Sequence, residues 1–283
     1  MKQSKPAMRE VLSRAAATLA DAGVPTPEVD ARLIAAHFLG TSPMGVAFAE
    51  PSDEFAPAFE AAIARRATRE PLQHITGTAP FGPLELEVGP GVFIPRPETE
   101  VLADWAVRRL AGTPRPTVVD LGTGSGALAI YIGHHIPTAQ VTAVELSPIA
   151  REYAARNAAT NNVRLTLVDA SMTDPELLPE LRGQVDLVVA NPPYVPETPD
   201  LDPEVYHDPH EAVFSGADGM DAIRGLVPVA AQLLRPGGWL GVEHDDATSE
   251  STRAVISANG AFGRPEPLRD LAGRERFVCA SKL

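Results

Sequence analysis

The sequence predicts an α/β protein in which a largely parallel β-sheet, covered by helices on both faces, follows a small all-helical domain. Two observations predict this class. From Thr117 onward, apolar strand-like segments alternate with helical stretches, and such alternation is typical of parallel sheets. The first seventy residues instead alternate helix signals with helix stops. The chain is therefore expected to fold as two domains.

The N-terminal domain is predicted to comprise residues 1–75 and three helices. Apolar residues recur at helical spacing in three stretches, and Gly23 and Gly40 end the first two. Thr26-Pro27 supplies a cap and a first-turn proline for the second helix. No charged cluster stands out in this region, so its predicted role is packing or partner docking.

A β-hairpin is predicted as the linker, within residues 76–96. Leu84, Leu86 and Val88 alternate with acidic residues, Gly89-Pro90-Gly91 suggests a turn, and apolar residues 92–94 suggest the returning strand. The second domain, residues 97–283, then carries five predicted strands. They cover residues 117–121, 141–144, 164–168, 185–190 and 239–243.

Composition sets the class of protein before any motif is considered. The chain has 283 residues, of which 44% are hydrophobic and 22% charged, as in ordinary globular proteins. No run of 18 apolar residues and no secretory signal is present, so we expect a cytoplasmic protein without a membrane segment. Cys279 is the single cysteine. It cannot form an internal disulfide or a cysteine-cluster metal site, and no metal is expected.

The charge of the chain argues against nucleic acid as a partner. The formal net charge is -13, from 24 basic and 37 acidic residues. Residues 1–70 hold 8 basic and 9 acidic residues, so nearly all of the negative charge lies in the remainder. Such a surface repels phosphate backbones and suits a cationic protein partner better.

A glycine-rich loop follows the first strand of the second domain and begins a helix. Its residues are Gly122, Thr123, Gly124, Ser125 and Gly126. Glycines allow a sharp turn and a close approach of the backbone to a ligand, and the helix N-terminus offers free N–H groups. The loop is therefore predicted to bind a nucleoside-bearing cofactor.

Acidic residues at the next two strand ends extend this prediction. Glu145 ends the second strand, where a carboxylate can accept hydrogen bonds from both hydroxyls of a ribose. Asp169 ends the third strand, at the position where adenine contacts are expected. The glycine spacing also satisfies the dinucleotide pattern, so S-adenosylmethionine and NAD both remain possible, with S-adenosylmethionine favoured.

The residues Asn191-Pro192-Pro193-Tyr194 follow the fourth strand, at the same sheet edge as the glycine loop. Prolines fix φ and keep the preceding residue extended, so the Asn191 side-chain oxygen and the Pro192 carbonyl can face outward as two acceptors. An amide nitrogen is a weak nucleophile, and two fixed acceptors would hold both of its hydrogens and aim it at a methyl donor. Tyr194 can lie against the substrate amide or near a sulfonium.

Other functions use parts of these motifs. An NAD-dependent oxidoreductase would explain the glycine loop and Glu145 but leaves residues 191–194 without a role. An adenine-N6 nucleic-acid methyltransferase would use the same two acceptors on an exocyclic amine, but it must flip a base out of a charged duplex, which the net charge of -13 disfavours. A non-catalytic cofactor-binding protein is a third class.

Taken together, the motifs resemble the protein-glutamine N5-methyltransferases that modify peptide chain release factors (the HemK/PrmC family). The resemblance runs from about residue 70 to the C-terminus. The matching stretches are residues 70–77 (EPLQHITG), 93–100 (FIPRPETE), 120–126 (DLGTGSG), 191–194 (NPPY) and 216–220 (GADGM).

The resemblance implies a seven-stranded, Rossmann-like class I methyltransferase domain that uses S-adenosylmethionine, with a helical N-terminal domain that helps dock a release factor. It implies that the acceptor is the glutamine of a Gly-Gly-Gln loop and that Phe93 lines the acceptor site. Arg96 and Glu98 belong to the same motif and can either fix the linker or contact substrate. Ala170 stands beside Asp169, where family members often carry an aromatic residue. A related enzyme acting on a ribosomal-protein glutamine remains the alternative.

Overall fold

The computed structural model describes residues 8–198 and 201–283. The chain divides into two compact units, one formed by residues 8–78 with Asp202–His207 and the other by Ala79–Leu201 with Asp208–Leu283, apart from the two residues that are not described.

The first unit is helical. Its helices are α1 (Met8–Asp21), α2 (Pro27–Leu39), α3 (Phe55–Ala67) and the short α4 (Leu72–Thr76). Proline opens α2 in its first turn and Gly40, in the left-handed conformation with φ +60°, closes it, because glycine adopts positive φ without a Cβ penalty. The predicted first-turn proline and the glycine stop of α2 are confirmed, but the predicted cap is not: the Thr26 side chain accepts no hydrogen bond from the helix N-terminus, and its hydroxyl donates to Asp30 Oδ1 at 2.8 Å instead.

A buried arginine of this unit is paired with two carboxylates. Arg66 is almost fully buried and donates hydrogen bonds to Asp30 Oδ2 at 2.7 Å and to Glu204 Oε1 at 2.8 Å. A buried guanidinium needs such partners because an unpaired charge is costly away from water. The 202–207 segment thereby belongs to the helical unit.

The hairpin at the start of the second unit differs from the prediction. Its strands are β1 (Thr78–Phe81) and β2 (Leu84–Glu87), joined at Gly82-Pro83. The predicted turn at Gly89-Pro90-Gly91 and the predicted returning strand at residues 92–94 were wrong. Gly82 has φ +56° and turns the chain within two residues, whereas Pro90 has no N–H to pair.

The sheet of the second unit has seven strands, as the resemblance implied. They are β3 (Thr117–Leu121), β4 (Gln140–Val144), β5 (Thr166–Val168), β6 (Val185–Ala190), β7 (Leu234–Glu243), β8 (Glu266–Arg269) and β9 (Glu275–Ser281). The order is β5-β4-β3-β6-β7-β9-β8, with β3 to β7 parallel and β9 antiparallel to both neighbours.

Helices cover both faces of this sheet. They are α5 (Thr99–Leu110), α6 (Ala127–His135), α7 (Pro148–Thr160), α9 (Asp221–Leu233) and α10 (Ser249–Asn259). A further short helix, α8 (His210–Val213), precedes α9 in the chain. Alternate strand residues enter separate cores: Val118 packs in the cluster that contains α5 and α6 residues, and Val119 in the cluster that contains α9 residues. Period-two alternation with apolar residues on both faces marks a buried parallel strand.

Strand direction places the predicted site at one edge. The strands β3 to β6 all end at the same edge of the sheet. From β3 the chain first adds β4 and β5 on one side of β3, and it then places β6 on the other side of β3. Ligands in open α/β sheets bind at this kind of switch point, beyond the carboxyl ends of the strands.

Over the described residues, no helix combines the length and the apolar character needed to cross a bilayer.

Candidate active site

The glycine loop is held by backbone hydrogen bonds. Gly122, Gly124 and Gly126 have φ values of +77°, +56° and +90°, which explains why glycine occupies these positions. The N–H groups of Gly122 and Thr123 both donate to the carbonyl oxygen of Val144, at 2.9 and 3.0 Å. The loop is thus fixed to the end of the neighbouring strand.

Asp120 holds the base of the loop from below. Its Oδ2 accepts hydrogen bonds from the Thr123 hydroxyl at 2.5 Å and from the Ala129 N–H at 3.1 Å. Burial raises the pKa of Asp120 to about 7, because water no longer stabilises the charged form. Its Oδ1 is buried without a hydrogen-bond partner in the described structure.

Glu145 lies beside the loop with its carboxylate oriented by the backbone. Its Oε2 accepts from Gly124 N–H at 2.9 Å and its Oε1 accepts from Ser147 N–H at 2.8 Å. A carboxylate offers about four lone-pair positions, so further acceptor capacity remains on both oxygens. The structure therefore brings the predicted ribose-binding carboxylate against the predicted glycine loop.

Asp169 is engaged elsewhere. Its side chain is exposed, and both carboxylate oxygens pair with Arg151, at 2.6 and 2.8 Å. Ala170, the next residue, is half-buried and packs against the core that contains α9. The predicted adenine contacts of Asp169 and Ala170 stay a prediction.

The acceptor loop, Asn191 to Tyr194, follows β6 and is tied to two side chains that sequence reasoning missed. Asn191 Nδ2 donates to the Thr99 hydroxyl oxygen at 3.2 Å, and that hydroxyl donates to Glu243 Oε2 at 2.7 Å. Tyr194 donates its hydroxyl proton to Glu243 Oε1 at 3.2 Å. We call Asn191, Thr99, Glu243 and Tyr194 the acceptor network.

Thr99 and Glu243 form the buried part of the network, and burial shifts the pKa values of its titratable groups. Thr99 and Glu243 are 3% and 1% exposed. Burial raises the pKa of Glu243 to about 7, while the hydrogen bonds from Thr99 and Tyr194 oppose the rise. Burial next to Glu243 also raises the pKa of the Tyr194 hydroxyl well above its usual value, so Tyr194 stays a donor.

A neighbouring segment supports the acceptor loop along its backbone. Val195 N–H donates to the Val213 carbonyl, and Ser215 N–H donates to the Val195 carbonyl, each at 2.9 Å. Gly219, with φ +74°, packs so closely on the Tyr194 carbonyl that an added Cβ would overlap this oxygen. Close contact with the acceptor loop therefore explains why glycine occupies position 219.

Phe93 is half-buried and lies under the guanidinium of Arg96, 4.9 Å from its ring centroid. Asp208 fixes this pair, because its Oδ1 accepts from Ile94 N–H at 3.2 Å and its Oδ2 accepts from Arg96 at 2.5 Å. Arg96 thus holds the segment that carries Phe93.

Sequence comparison decides the family. A chain from Corynebacterium glutamicum named "Release factor glutamine methyltransferase" is 59% identical over 275 residues, which cover 97% of this chain and 98% of the relative. The chain belongs to the release factor glutamine methyltransferase family. A relative of the same name from Mycobacterium tuberculosis is 47% identical over 97% of this chain and 91% of its own length.

Family profiles and solved structures agree with this membership. The profile "PrmC N-terminal domain" matches residues 10–77, and "Methyltransferase small domain" matches residues 89–208. The fold is shared with the T. thermophilus 16S rRNA N2 G1207 methyltransferase, at 22% identity and a TM-score of 0.54, over 73% of this chain and 50% of that one. The class I methyltransferase fold is therefore confirmed.

The family uses S-adenosylmethionine, which removes the NAD alternative. The residues present fit this cofactor. A Cβ added at Gly124 would meet no atom within 4 Å, whereas one at Gly126 would meet Ile130 and Ala154, so open space lies in front of Gly124 and beside the Glu145 carboxylate. The unpartnered Asp120 Oδ1 offers a further buried acceptor at the same loop.

Among the described residues, no group of three or more His, Cys, Asp or Glu side chains is arranged to hold a metal ion.

Thr99 and Glu243 are the two site residues that the sequence analysis missed, and the sequence signals that could have revealed them are weak. Thr99 lies within the 93–100 motif but is a helix-start residue by type, and Glu243 ends an apolar strand where an acid looks solvated. Their pairing is set by the fold.

Proposed function

We propose that the protein transfers a methyl group from S-adenosylmethionine to the side-chain amide nitrogen of the glutamine in the Gly-Gly-Gln motif of peptide chain release factors, which gives N5-methylglutamine. The observation that carries this proposal is the orientation of Asn191. Its Nδ2 is held by Thr99, so its Oδ1 is directed away from Thr99 and is available to accept from a substrate N–H. Family membership supplies the acceptor class.

The catalytic residues of this proposal are Asn191, Pro192 and Tyr194. The Asn191 side-chain oxygen and the Pro192 carbonyl each accept one N–H of the glutamine amide, which orients the nitrogen lone pair. S-adenosylmethionine supplies an electrophilic methyl group when bound. Positive charge develops on the amide nitrogen during transfer, and the two acceptor dipoles stabilise it. The methylated nitrogen is acidic enough to lose its proton to water.

Substrate contacts extend over the neighbouring residues. We assign Phe93 and Pro193, together with the three catalytic residues, to the glutamine-binding pocket. The half-buried Phe93 ring, held by Arg96, supports this role because an apolar wall excludes water from the amide. Tyr194 is fixed by its hydrogen bond to Glu243, which supports a role for its ring beside the acceptor nitrogen.

The cofactor residues proposed are those of the glycine loop and of the adjacent strand ends. The glycine loop contributes backbone N–H groups and space, and Glu145 accepts from the ribose hydroxyls. The full set is Gly122, Thr123, Gly124, Ser125, Gly126, Glu145, Asp169, Ala170 and Asn191.

The domain organisation belongs to the same proposal. We assign residues 1–75 to a helical substrate-docking domain, residues 76–96 to a hairpin linker and residues 97–283 to the catalytic domain. The helical structure of α1 to α4 and the family match over residues 10–77 support the first assignment. We further propose that the protein acts in the cytoplasm on a protein substrate without contacting nucleic acid directly, which the net charge of -13 supports.

A methyl-transfer assay tests the function. The protein is incubated with methyl-labelled S-adenosylmethionine and a release factor that carries either Gly-Gly-Gln or Gly-Gly-Ala, with ribosomal proteins and an adenine-containing duplex in parallel. Label is expected on the Gly-Gly-Gln factor alone. Label on both factors, or on neither, overturns the proposal, and label on the ribosomal proteins or the duplex alone assigns the activity to that substrate.

A further inference from the structure

We infer that Glu243 is a positioning residue that determines which end of the Asn191 amide faces the acceptor, acting through the Thr99 hydroxyl. The inference rests on the proposed function, because it concerns how the same site recognises an amide. It makes Glu243 responsible for discrimination between a glutamine side chain and a glutamate side chain.

The first step is the position of Glu243. It is the last residue of β7 and is buried, and each of its carboxylate oxygens accepts one hydroxyl proton. Thr99 donates to Oε2 at 2.7 Å and Tyr194 donates to Oε1 at 3.2 Å. An ionised carboxylate can only accept, so it fixes the direction of both hydroxyls at once.

The second step follows from the single proton of a hydroxyl. Because the Thr99 proton points at Glu243, the Thr99 oxygen can only accept from its other neighbour. Asn191 must therefore present Nδ2 to Thr99, which is the observed contact at 3.2 Å. If Glu243 did not take the proton, Thr99 could donate to Asn191 Oδ1, and the amide could turn over.

The third step concerns the acceptor. With Nδ2 held by Thr99, Asn191 offers an oxygen to the substrate, which suits the N–H groups of a glutamine amide. A reversed Asn191 would present N–H groups instead, which oppose the substrate amide and suit a carboxylate. Inside a buried site an unmatched donor or acceptor is strongly unfavourable, so the orientation of one amide selects the substrate.

Protonation of Glu243 would disturb the same network. A protonated carboxyl carries a donor that competes for the Thr99 or Tyr194 oxygen. The charged groups that act on Glu243 are Arg276 on β9, which favours the ionised form, and Glu98 before α5, which opposes it. With the pKa of Glu243 raised to about 7 by burial, the rate of methyl transfer should fall as the pH drops through this value.

Three variants test the inference. Thr99→Val keeps the shape of the side chain but removes the hydroxyl, Thr99→Ser keeps the hydroxyl, and Glu243→Gln keeps the shape but can donate to Thr99. Each is compared with the wild type for kcat on the Gly-Gly-Gln release factor, for inhibition by the Gly-Gly-Glu factor, and for unfolding by urea.

Thr99→Val and Glu243→Gln are expected to lower kcat and to reduce the preference for the Gly-Gly-Gln over the Gly-Gly-Glu factor by about tenfold or more, whereas Thr99→Ser stays close to the wild type in both. The fall in kcat at low pH should disappear in Glu243→Gln. An unchanged preference in Thr99→Val and Glu243→Gln overturns the inference, as does an equal loss in Thr99→Val and Thr99→Ser.

Labelling by the wild-type protein tests the proposed function, and the preference of the variants tests the role of Glu243. If the wild-type protein labels a different amide substrate, the proposed function fails, and the same variants on that substrate and its carboxylate analogue still test Glu243. If the wild type labels the Gly-Gly-Gln factor and the variants keep its preference, only the inference fails.

Discussion

The glycine loop is held mainly by its own backbone, whereas the acceptor loop is held by side chains from distant parts of the sequence. Gly122 and Thr123 donate N–H groups to the adjacent strand end. Asn191 instead depends on Thr99, which lies 92 positions earlier, and through it on Glu243. Both loops lie at one sheet edge, but backbone hydrogen bonds fix the first and side-chain hydrogen bonds fix the second.

Each loop contacts one buried carboxylate, and the two carboxylates accept hydrogen bonds from different kinds of partner. The pKa values of Asp120 and Glu243 are both raised to about 7 by burial. Asp120 accepts from a hydroxyl of the glycine loop and from a backbone N–H of the helix that follows it, while Glu243 accepts from two hydroxyls on separate segments. The difference implies that damage to the first loop weakens cofactor binding and that damage to the second slows transfer.

The largest expected effect is that of Asn191→Ala. Removal of one fixed acceptor should lower kcat by about 100-fold or more, because the amide nitrogen loses its orientation. Cofactor affinity should fall much less than kcat, because Asn191 is only one of nine residues proposed to bind the cofactor. Rapid-quench transfer assays and cofactor titration measure the two quantities. Asn259→Ala, at the exposed end of α10, is the control and should behave as wild type. A loss of cofactor affinity as large as the loss of rate would contradict the division between the loops.

Gly219→Ala should distort the acceptor loop without touching the glycine loop. The new Cβ would overlap the Tyr194 carbonyl oxygen, and overpacking of this kind destabilises by about 1–3 kcal/mol. Gly273→Ala shares a positive φ, +83°, but meets no atom within 4 Å, so it isolates the backbone strain. Urea unfolding and kcat of both variants are compared. Equal behaviour of the pair would show that the contact with Tyr194 has no importance.

Gly124→Ala should weaken cofactor binding and leave the acceptor loop unchanged. The added methyl group has room in the protein, since no atom lies within 4 Å, but it would occupy space needed by the cofactor. We expect cofactor affinity to fall by about tenfold, measured by calorimetry. Gly260→Ala, also with positive φ and open surroundings, controls for backbone strain. Wild-type affinity in Gly124→Ala would place the cofactor elsewhere.

The smallest expected effect is a change in how stability depends on pH. The pKa values of Asp120 and Glu243 are higher in the folded protein than in the unfolded chain, where they lie near 4. Their stabilising contribution is therefore complete below about pH 4 and is lost as the pH rises to about 7. Each group should reduce the free energy of unfolding by about 1 kcal/mol between pH 6 and pH 7.

Asp120→Asn and Glu243→Gln each remove one titrating group and should flatten this fall. Urea unfolding at closely spaced pH values, taken as the difference between wild type and variant, cancels the contribution of the other charges. A difference that stays constant with pH would mean that the group does not titrate in this range.

The two loops also differ in how far the sequence could reveal them. Glycine spacing, a strand before it and an acid at the next strand end are local signals, and they correctly brought Gly124 and Glu145 together. The parallel strand pattern likewise predicted the sheet. Thr99 and Glu243 carry only a weak local signal, because each acquires its role only when α5, β6 and β7 pack together.

Local patterns also misplaced one element. Gly89-Pro90-Gly91 looks like a hairpin turn, but the paired strands end at Glu87 and the turn lies at Gly82-Pro83. Strand pairing depends on which apolar residues reach the core, and Phe81 and Leu84 both do so. Turn residues alone do not contain that information.

Single-turnover methyl transfer at saturating S-adenosylmethionine, with Gly124→Ala and Asn191→Ala measured side by side, tests the division between the two loops most directly. We expect Gly124→Ala to regain a rate close to the wild type once the cofactor is saturating, while Asn191→Ala remains slower by about 100-fold or more. Equal residual rates in the two variants under saturation would contradict it.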